Sequence, residues 1–527
     1  MDELLPRLLS FRFGSTTTIG QSAVILLVLG LVAIAVRTHT RRILAIASIL
    51  VFTRAFTPFS WPTYFLSLAP LVWMWRQDLI PISTPRSALE AIVVGFAMCW
   101  LITGFVEPAV PTSGGILHGA GCILFSFQLV GIALVTRASR KMPILRAAPL
   151  IALTALALEL GQAWLGLTWA TTNPSLAIAT TPIAQWSGLV TPFGLSALLY
   201  LSSCLLVPDN EGKWSKRLFG PALGCAALTT LWIGGMLLEA RVICQPLKFS
   251  AMLVQPNLLF KKEQAWEPWT VLDPLTTESL ANSGPVDLIV WPETCLTDSW
   301  RNVDTADRSV ELTAQSRHRL NLQDFIEQIL PRYQTNCLLG VNTLEKGTAV
   351  KYGLTVPTTQ LINCGCMVKS TGAIDCHEKQ ILVPMKEGLP EWFPTEFVRR
   401  KVLPCFELNA PYAAGRNFHL IRFNDRAGVE RTIAAAVCYE SWHPWLPQFH
   451  QTEPLDAIVY MMYDGDFVDH PELIQRQLLS VRLRAIETRT WNLVCSTWRG
   501  TAIIDPRGRI VKELPPVAGV LRTDELE

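Results

Sequence analysis

A multi-pass α-helical membrane bundle followed by a soluble α/β domain is the fold class that the 527-residue sequence predicts, on three observations. Apolar runs of helix length repeat up to about residue 242, and basic residues gather in every second loop between them. Beyond 242, short strand-like runs alternate with helical patterns and ordinary charge returns. Half of all residues are apolar and 17% are charged, with a mean hydropathy of +0.30, an average that hides this division. The expected domains are therefore 1–242 and 243–527, the second long enough for a core of its own.

Backbone polar groups in hydrocarbon must be satisfied within the segment, so a crossing helix needs about 20 mainly apolar residues. Eight segments qualify, roughly 18–36, 43–58, 62–75, 88–107, 116–136, 144–163, 183–206 and 218–239. Between the second and third lies Pro58-Phe-Ser-Trp-Pro62, which favours a hairpin over one broken helix. Arg37, Arg41 and Arg42 follow the first segment, and Arg76 and Arg86 the third. Arg137, Arg140, Lys141 and Arg146 follow the fifth, and Lys213, Lys216 and Arg217 the seventh. The loops near 59–61, 108–115 and 164–182 carry no Lys or Arg. Positive charge stays cytoplasmic, so the N-terminus and the second domain are expected on the exoplasmic side. Reading 1–35 as a cleaved signal, with Ala33-Ile34-Ala35 at the cleavage site, would invert every later loop and is disfavoured. Arg54 and Glu107 fall near helix ends, where long side chains reach water. Glu159 is deeper, ahead of Trp164, Gly166 and Trp169, and either borders a lipid site or pairs within the bundle.

The second domain opens on the strand pattern Phe249–Gln255. Strand-like runs recur at 287–291, 337–341, 360–363, 433–437, 456–462, 492–496 and 501–504, with helical patterns at 319–334 and 471–490. Such alternation indicates an α/β domain. A net charge of +2 and the lack of a basic stripe exclude a nucleic-acid partner. The thirteen cysteines form no CxxC pair, and no HExxH occurs, so no metal and no cofactor is expected. Cys364, Cys366 and Cys376 lie close together but lack the spacing of tetrahedral ligands. Disulfides are open to the domain in an oxidising compartment, without a pairing that sequence can read.

Three segments place a reactive side chain beside an apolar run: Asp287-Leu-Ile-Val-Trp-Pro-Glu293, Cys376-His-Glu-Lys379 with Leu382-Val-Pro384, and Ile433-Ala-Ala-Ala-Val-Cys438. Singly, Glu293 reads as a surface carboxylate, Lys379 as a solvated ammonium and Cys438 as a small buried hydrophobe. Together they suit nucleophilic acyl chemistry. A thiol needs a base or a cation beside it to react. Glu293 can take its proton, and Lys379 can stabilise charge developing on the attacked carbonyl oxygen. The backbone N–H of Tyr439 is a second candidate oxyanion donor. His443, near Cys438 in sequence, leaves a Cys-His pair as an alternative; no GxSxG occurs.

These segments resemble the Glu-Lys-Cys triad of the nitrilase, or carbon-nitrogen hydrolase, superfamily, and in particular its membrane branch, the apolipoprotein N-acyltransferases. The likeness extends through Leu253-Val-Gln255 with Trp266, Glu387, Cys438-Tyr-Glu440, Arg484-Ala-Ile-Glu487 and Ile504-Asp-Pro-Arg-Gly508. In the first half it takes in Ala55-Phe-Thr-Pro58, Glu159, Gly166-Leu-Thr-Trp169 and Gly194-Leu-Ser196. The resemblance implies a nitrilase-like αββα sandwich on the bundle, in a bacterial inner membrane with the catalytic domain periplasmic. It implies a phospholipid acyl donor, a Cys438 thioester and a diacylglyceryl apolipoprotein whose N-terminal amine accepts the chain. Glu387 would support Lys379, while Tyr439, Glu440, Trp266 and Asp466 would bind substrate or oxyanion. The sequence departs from the family pattern at His377, where a Tyr is usual, at Met385-Lys386 in place of Phe-Gly, and at Asp466 in place of a Trp. It also ends without the usual last transmembrane helix and adds one at 18–36. A tethered amidase or a transferase with another amine acceptor, and a non-catalytic scaffold, are the competing readings.

Overall fold

The computed structural model describes residues 43–49, 62–76, 84–103, 114–164, 173–208, 214–258, 268–298, 322–351, 354–383, 387, 412–415, 419–443, 453–465 and 471–525. The expected span 18–36, Arg54, the turn at 58–61, Glu107, the 166–169 segment, Lys386, Trp266 and Asp466 lie outside them. The chain divides into two compact units, one of them built from the helices before Arg241 and the other beginning at Val242.

In the first unit, helices run Pro62–Arg76 (α1), Thr84–Thr103 (α2), Gly114–Ala138 (α3), Ile144–Trp164 (α4), Ser187–Leu205 (α5) and Trp214–Arg241 (α6). Among the described residues, Ile144–Trp164, Pro182–Leu205 and Phe219–Arg241 are long and apolar enough to cross a membrane. On α6 the apolar side chains of Phe219, Ile233, Met236 and Leu237 are exposed. Helix α5 is broken at Thr191, whose φ of 61° and ψ of 165° precede Pro192. Proline removes a backbone donor and disfavours helical geometry in the residue before it, so the break has a local cause. Glu159 on α4 is buried and pairs inside this unit. The Asn173 amide donates to its Oε1 at 2.8 Å, and the Ser196 hydroxyl lies 3.3 Å from the same oxygen.

The second unit is a four-layer α-β-β-α sandwich. One sheet runs in the order β13-β1-β2-β4-β5-β6, with β3 also paired to β4. Its strands are β1 (Ala251–Gln255), β2 (Leu288–Val290), β3 (Leu296–Asp298), β4 (Asn336–Lys351), β5 (Leu354–Val368), β6 (Ile374–Glu378) and β13 (Gly519–Arg522). The other, in the order β12-β11-β10-β9-β8-β7, uses Leu420–Asn424 (β7), Glu430–Val437 (β8), Ala457–Met462 (β9), Trp491–Ser496 (β10), Ala502–Ile504 (β11) and Ile510–Glu513 (β12). Central strands such as Ala-Ile-Val-Tyr-Met-Met are buried along their whole length because both faces are covered. Alternate residues divide between two cores. Leu338, Met367, Ala435, Val437, Met461 and Leu493 fill the space between the sheets. Trp291, Phe325 and Tyr333 pack beneath the helices of the first sheet, with ring centroids 5.3–6.3 Å apart. Ala436, Tyr460, Leu478, Val481 and Ala485 pack beneath the helix on the second.

Those helices are α7 (Trp269–Ser283), α8 (322–333) and α9 (Pro471–Thr488). The periodicity at 471–490 foretells α9. It does not reveal α7, which buries only Leu272 and Thr276 and contains Pro274, so no apolar stripe marks it. Helix α8 carries a π turn at Phe325–Ile329 just before Pro331, where the helical hydrogen-bond pattern must shift. The strand expected at 360–363 is the middle of β5 in a long β4–β5 hairpin whose partners extend from Cys337 and Val368 to Lys351 and Leu354. Its outer half is too polar to read as a strand. Cys366 and Cys376, register partners on β5 and β6, form a disulfide, while Cys364 is buried and lies outside it.

Candidate functional site

Glu293 is delivered by the end of β2. Trp291 is anchored: its N–H donates to Leu338 O at 2.9 Å and its indole to the Thr276 hydroxyl at 3.1 Å. Pro292 then offers no donor, pairing stops, and the chain turns across β4. It crosses at Gly340, where a Cβ would come 2.3 Å from Pro292 O and 2.5 Å from Glu293 Cα. Gly340 is required by that approach. The Gly340→Ala variant is expected to lift the Glu293 turn and to lower kcat roughly 10- to 100-fold while the fold survives, as steady-state kinetics beside a melting curve would reveal.

Lys379 follows β6 and is fully buried. Its N–H donates to Asn363 O at 2.8 Å, and its carbonyl accepts from Gly415 N at 2.7 Å. Its Nζ donates to Glu387 Oε1 at 2.7 Å and lies 3.5 Å from Glu293 Oε1. Glu387 is held in turn by Val383 N–H at 2.8 Å. Burial alone would lower the Lys379 pKa, but Glu387 and Glu293 outweigh it and the ammonium is held more firmly than usual. Cys438 directly follows β8 and lies in the left-handed region, with φ 49°. That conformation is unusual for a residue with a Cβ and turns the side chain out of the strand line. Its Sγ lies 3.9 Å from Tyr463 O and within hydrogen-bonding reach of the Glu293 carboxyl. Burial, and then the Glu293 charge, push the thiol pKa up, with Lys379 opposing. Burial and Glu387 likewise raise Glu293 against the pull of Lys379. The thiol therefore keeps its proton at rest, beside a carboxyl whose own hold on a proton is also raised.

The structure therefore brings Glu293, Lys379, Glu387 and Cys438 together. Tyr439 follows the thiol, and its ring packs edge-on against His443, centroids 5.3 Å apart. His443 has its pKa pushed down to about 4 by burial and Arg484, so it is neutral and packed behind the turn, which disfavours the Cys-His alternative.

Glu440 corrects an expectation. Instead of facing substrate it is fully buried, and its carboxylate accepts from Val437 N–H at 2.8 Å and Gln380 N–H at 2.7 Å and sits 3.2 Å from His377 Nε2. It fastens the segment carrying Lys379 to the turn carrying Cys438, and His377 serves that link. Burial works against its charge, but His377 and the backbone donors hold its pKa below the usual range. Its contribution to stability is accordingly present at neutral pH and lost as pH falls below the ordinary carboxylate range. Glu440→Gln is expected to cost about 3 kcal/mol at neutral pH, read as a lowered Tm, with the difference from the parent shrinking in acid.

Sequence reasoning missed Asn363, whose Nδ2 donates to Glu293 Oε1 at 2.6 Å and so fixes the carboxylate. It also missed the Tyr463 carbonyl, held by Asp464, whose carboxylate accepts from Thr497 Oγ1 and from the N–H groups of Trp498 and Arg499 at 2.8–2.9 Å. No local pattern marks either; both depend on strand register.

The sequence profile of the carbon-nitrogen hydrolase family matches residues 251–524. An apolipoprotein N-acyltransferase of Pseudomonas syringae pv. tomato is 26% identical over 506 residues, 90% of this chain and 88% of that protein. Another of Azotobacter vinelandii is 27% identical over 507 residues, 90% of this chain and 86% of that one. Among solved structures, Saccharomyces cerevisiae Nit3, a member of the nitrilase superfamily, aligns at 14% identity with a TM-score of 0.34, over 52% of this chain and 88% of that one. With more than half of its length matched by the family profile, the chain belongs to the carbon-nitrogen hydrolase family.

Proposed function

We propose that the chain is a membrane-embedded N-acyltransferase that moves an acyl chain from a phospholipid, through a Cys438 thioester, to the N-terminal amine of a diacylglyceryl-cysteine apolipoprotein. The observation that carries this reading is the buried cluster itself: a thiol, a carboxyl within its hydrogen-bonding reach, and an ammonium 3.5 Å from that carboxyl and 2.7 Å from Glu387. Similarity to the two named N-acyltransferases along 90% of the chain supports the choice of substrates.

In the first half-reaction Cys438 sulfur attacks the ester carbonyl carbon and its proton passes to Glu293. Lys379, held by Glu387, stabilises the charge on the carbonyl oxygen. The C–O bond then breaks, Glu293 returns the proton to the glycerol oxygen, and a lysophospholipid leaves. In the second, the acceptor nitrogen attacks the thioester, an amide forms and the thiol is regenerated. No step draws on a metal or a cofactor.

The same reading makes the helices of the first unit a multi-pass bundle in a bacterial inner membrane, with the catalytic domain on the periplasmic side. The outward apolar side chains of α6 and the alternation of basic loops support it. The test is to give purified enzyme a phospholipid labelled in its acyl chain together with a synthetic diacylated lipopeptide. Labelled triacylated peptide and equimolar lysophospholipid are expected. Labelled free acid alone, unaffected by the peptide, would contradict the transferase and favour an amidase-like hydrolase.

A further inference from the structure

Asn342 and Asn363 are register partners on β4 and β5, so their side chains leave the sheet on one face with Cβ atoms about 4.5–5.5 Å apart. Alternation along the strands puts them on the face of Leu338 and Met367, which pack between the sheets. That is also the face on which Glu293 lies against Gly340. All three polar residues are buried: Asn342 is 7% exposed, Asn363 1% and Glu293 3%. Asn363 Nδ2 is committed to Glu293 Oε1 at 2.6 Å, and because a carboxylate accepts, this fixes which end of the amide is oxygen. Among the described residues, Asn342 Oδ1 and Asn363 Oδ1 have no hydrogen-bond partner, and Glu293 Oε2 has none but the Cys438 thiol within reach of its carboxyl, whose proton is gone once the sulfur is acylated.

Buried polar atoms are normally paired, and two orphan amide oxygens on the face that carries a buried carboxylate are not the ordinary state of a core. All three are acceptors. Their complement is a group with several N–H donors. Beside them, two carboxylates, Glu293 and Glu387, face a single ammonium, Lys379, which leaves a formal surplus of one negative charge. A primary ammonium offers three diverging N–H donors and one positive charge. A water molecule offers two donors and none.

We propose that Asn342, Asn363 and Glu293 Oε2 form the subsite for the amine acceptor of the second half-reaction, an inference that rests on the acyl-transfer reading above. The acceptor enters as R–NH3+ and gives one proton to Glu293. The two asparagine carbonyls hold the remaining N–H groups and aim the freed lone pair at the thioester carbon. The C–N bond forms and the C–S bond breaks. The second proton leaving nitrogen ends on Cys438 sulfur, and Glu293 releases its own to solvent.

The experiment uses the full chain, acylated from a phospholipid with a labelled chain and then offered methylamine or a diacylated lipopeptide, with amide and free acid measured as competing products. Asn342→Leu removes the acceptor at nearly constant volume, whereas Asn342→Asp keeps it. The amide-to-acid ratio is expected to fall roughly 10- to 100-fold in Asn342→Leu and to stay within about threefold of the parent in Asn342→Asp. An unchanged ratio in Asn342→Leu, an equal slowing of both products, or an equal fall in Asn342→Asp would overturn the subsite. Should Asn342→Leu fail to fold, Asn342→Asp and Asn342→Ser decide, retention of the ratio supporting the subsite and loss opposing it. Failure of the parent to form any acyl-enzyme strikes the acyl-transfer reading instead, so the two failures are told apart.

Discussion

Cys438→Ala is expected to abolish both lysophospholipid release and amide formation, by at least about 10⁴-fold, while the purified protein melts within a few degrees of the parent. The two halves of that expectation have separate causes. Loss of activity follows because, among the described residues, the neighbours of Cys438 in sequence do not replace the sulfur as nucleophile: His443 is buried behind the turn, and Ser441 spends its hydroxyl on Cys438 O at 2.7 Å. Persistence of the fold follows because the thiol's polar contacts are a long one to Tyr463 O at 3.9 Å and one with the Glu293 carboxyl, which Asn363 and Lys379 also hold, so its truncation leaves the strand and the turn intact. Cys438→Ser should be equally inactive, since a hydroxyl in so buried a place gives up its proton far less readily than a thiol. Residual turnover in either variant above about one part in 10³ would remove Cys438 from the mechanism.

Lys379→Met has the second large effect, and it acts on rate and stability together. The fully buried ammonium lies 2.7 Å from Glu387 and 3.5 Å from Glu293. Without it, two carboxylates share a pocket and their ionisation becomes mutually unfavourable. Glu293 then holds its proton and cannot take the one from Cys438, while the developing oxyanion loses its cation. Each defect costs about 10²–10³ in rate, so kcat should fall by three orders of magnitude or more. Breaking a buried pair costs about 3–5 kcal/mol, so Tm should fall as well. The double variant Lys379→Met with Glu387→Gln separates the two effects. It restores charge balance, and with it much of the stability, but none of the activity. Recovery of activity in the double variant would make Lys379 a structural counter-ion only.

Part of this site was legible because part of it is local. An apolar strand stopped by Pro292 puts Glu293 at its mouth, and three alanines before Val437 and Cys438 announce a closely packed strand with a reactive end. The membrane-length helices were legible because hydrophobic length is written along a segment. Lys379 carries a weaker signal: an apolar run follows it, but it leaves a short edge strand whose side chains are mostly half-buried, and taken singly it reads as a solvated ammonium. Gly340, Asn342 and Asn363 were invisible for a different reason. Their importance comes from the register of β4 against β5 and from which face the alternation assigns them, neither of which a single strand contains. Glu440 was misjudged on the same ground. The resemblance implies a substrate contact for it, yet its carboxylate meets the backbone of Gln380, sixty residues away in sequence. Charged residues near a reactive one can build the pocket from behind, and sequence adjacency does not say which side they face.

The central claim is tested most directly by intact-mass measurement of the purified full chain after brief exposure to a phospholipid without any amine acceptor. The expected spectrum carries one added acyl group, which hydroxylamine removes, which fragmentation assigns to Cys438, and which Cys438→Ser does not acquire. An unmodified mass while lysophospholipid accumulates, or an acyl group on another residue that survives in Cys438→Ser, would contradict the proposed thioester.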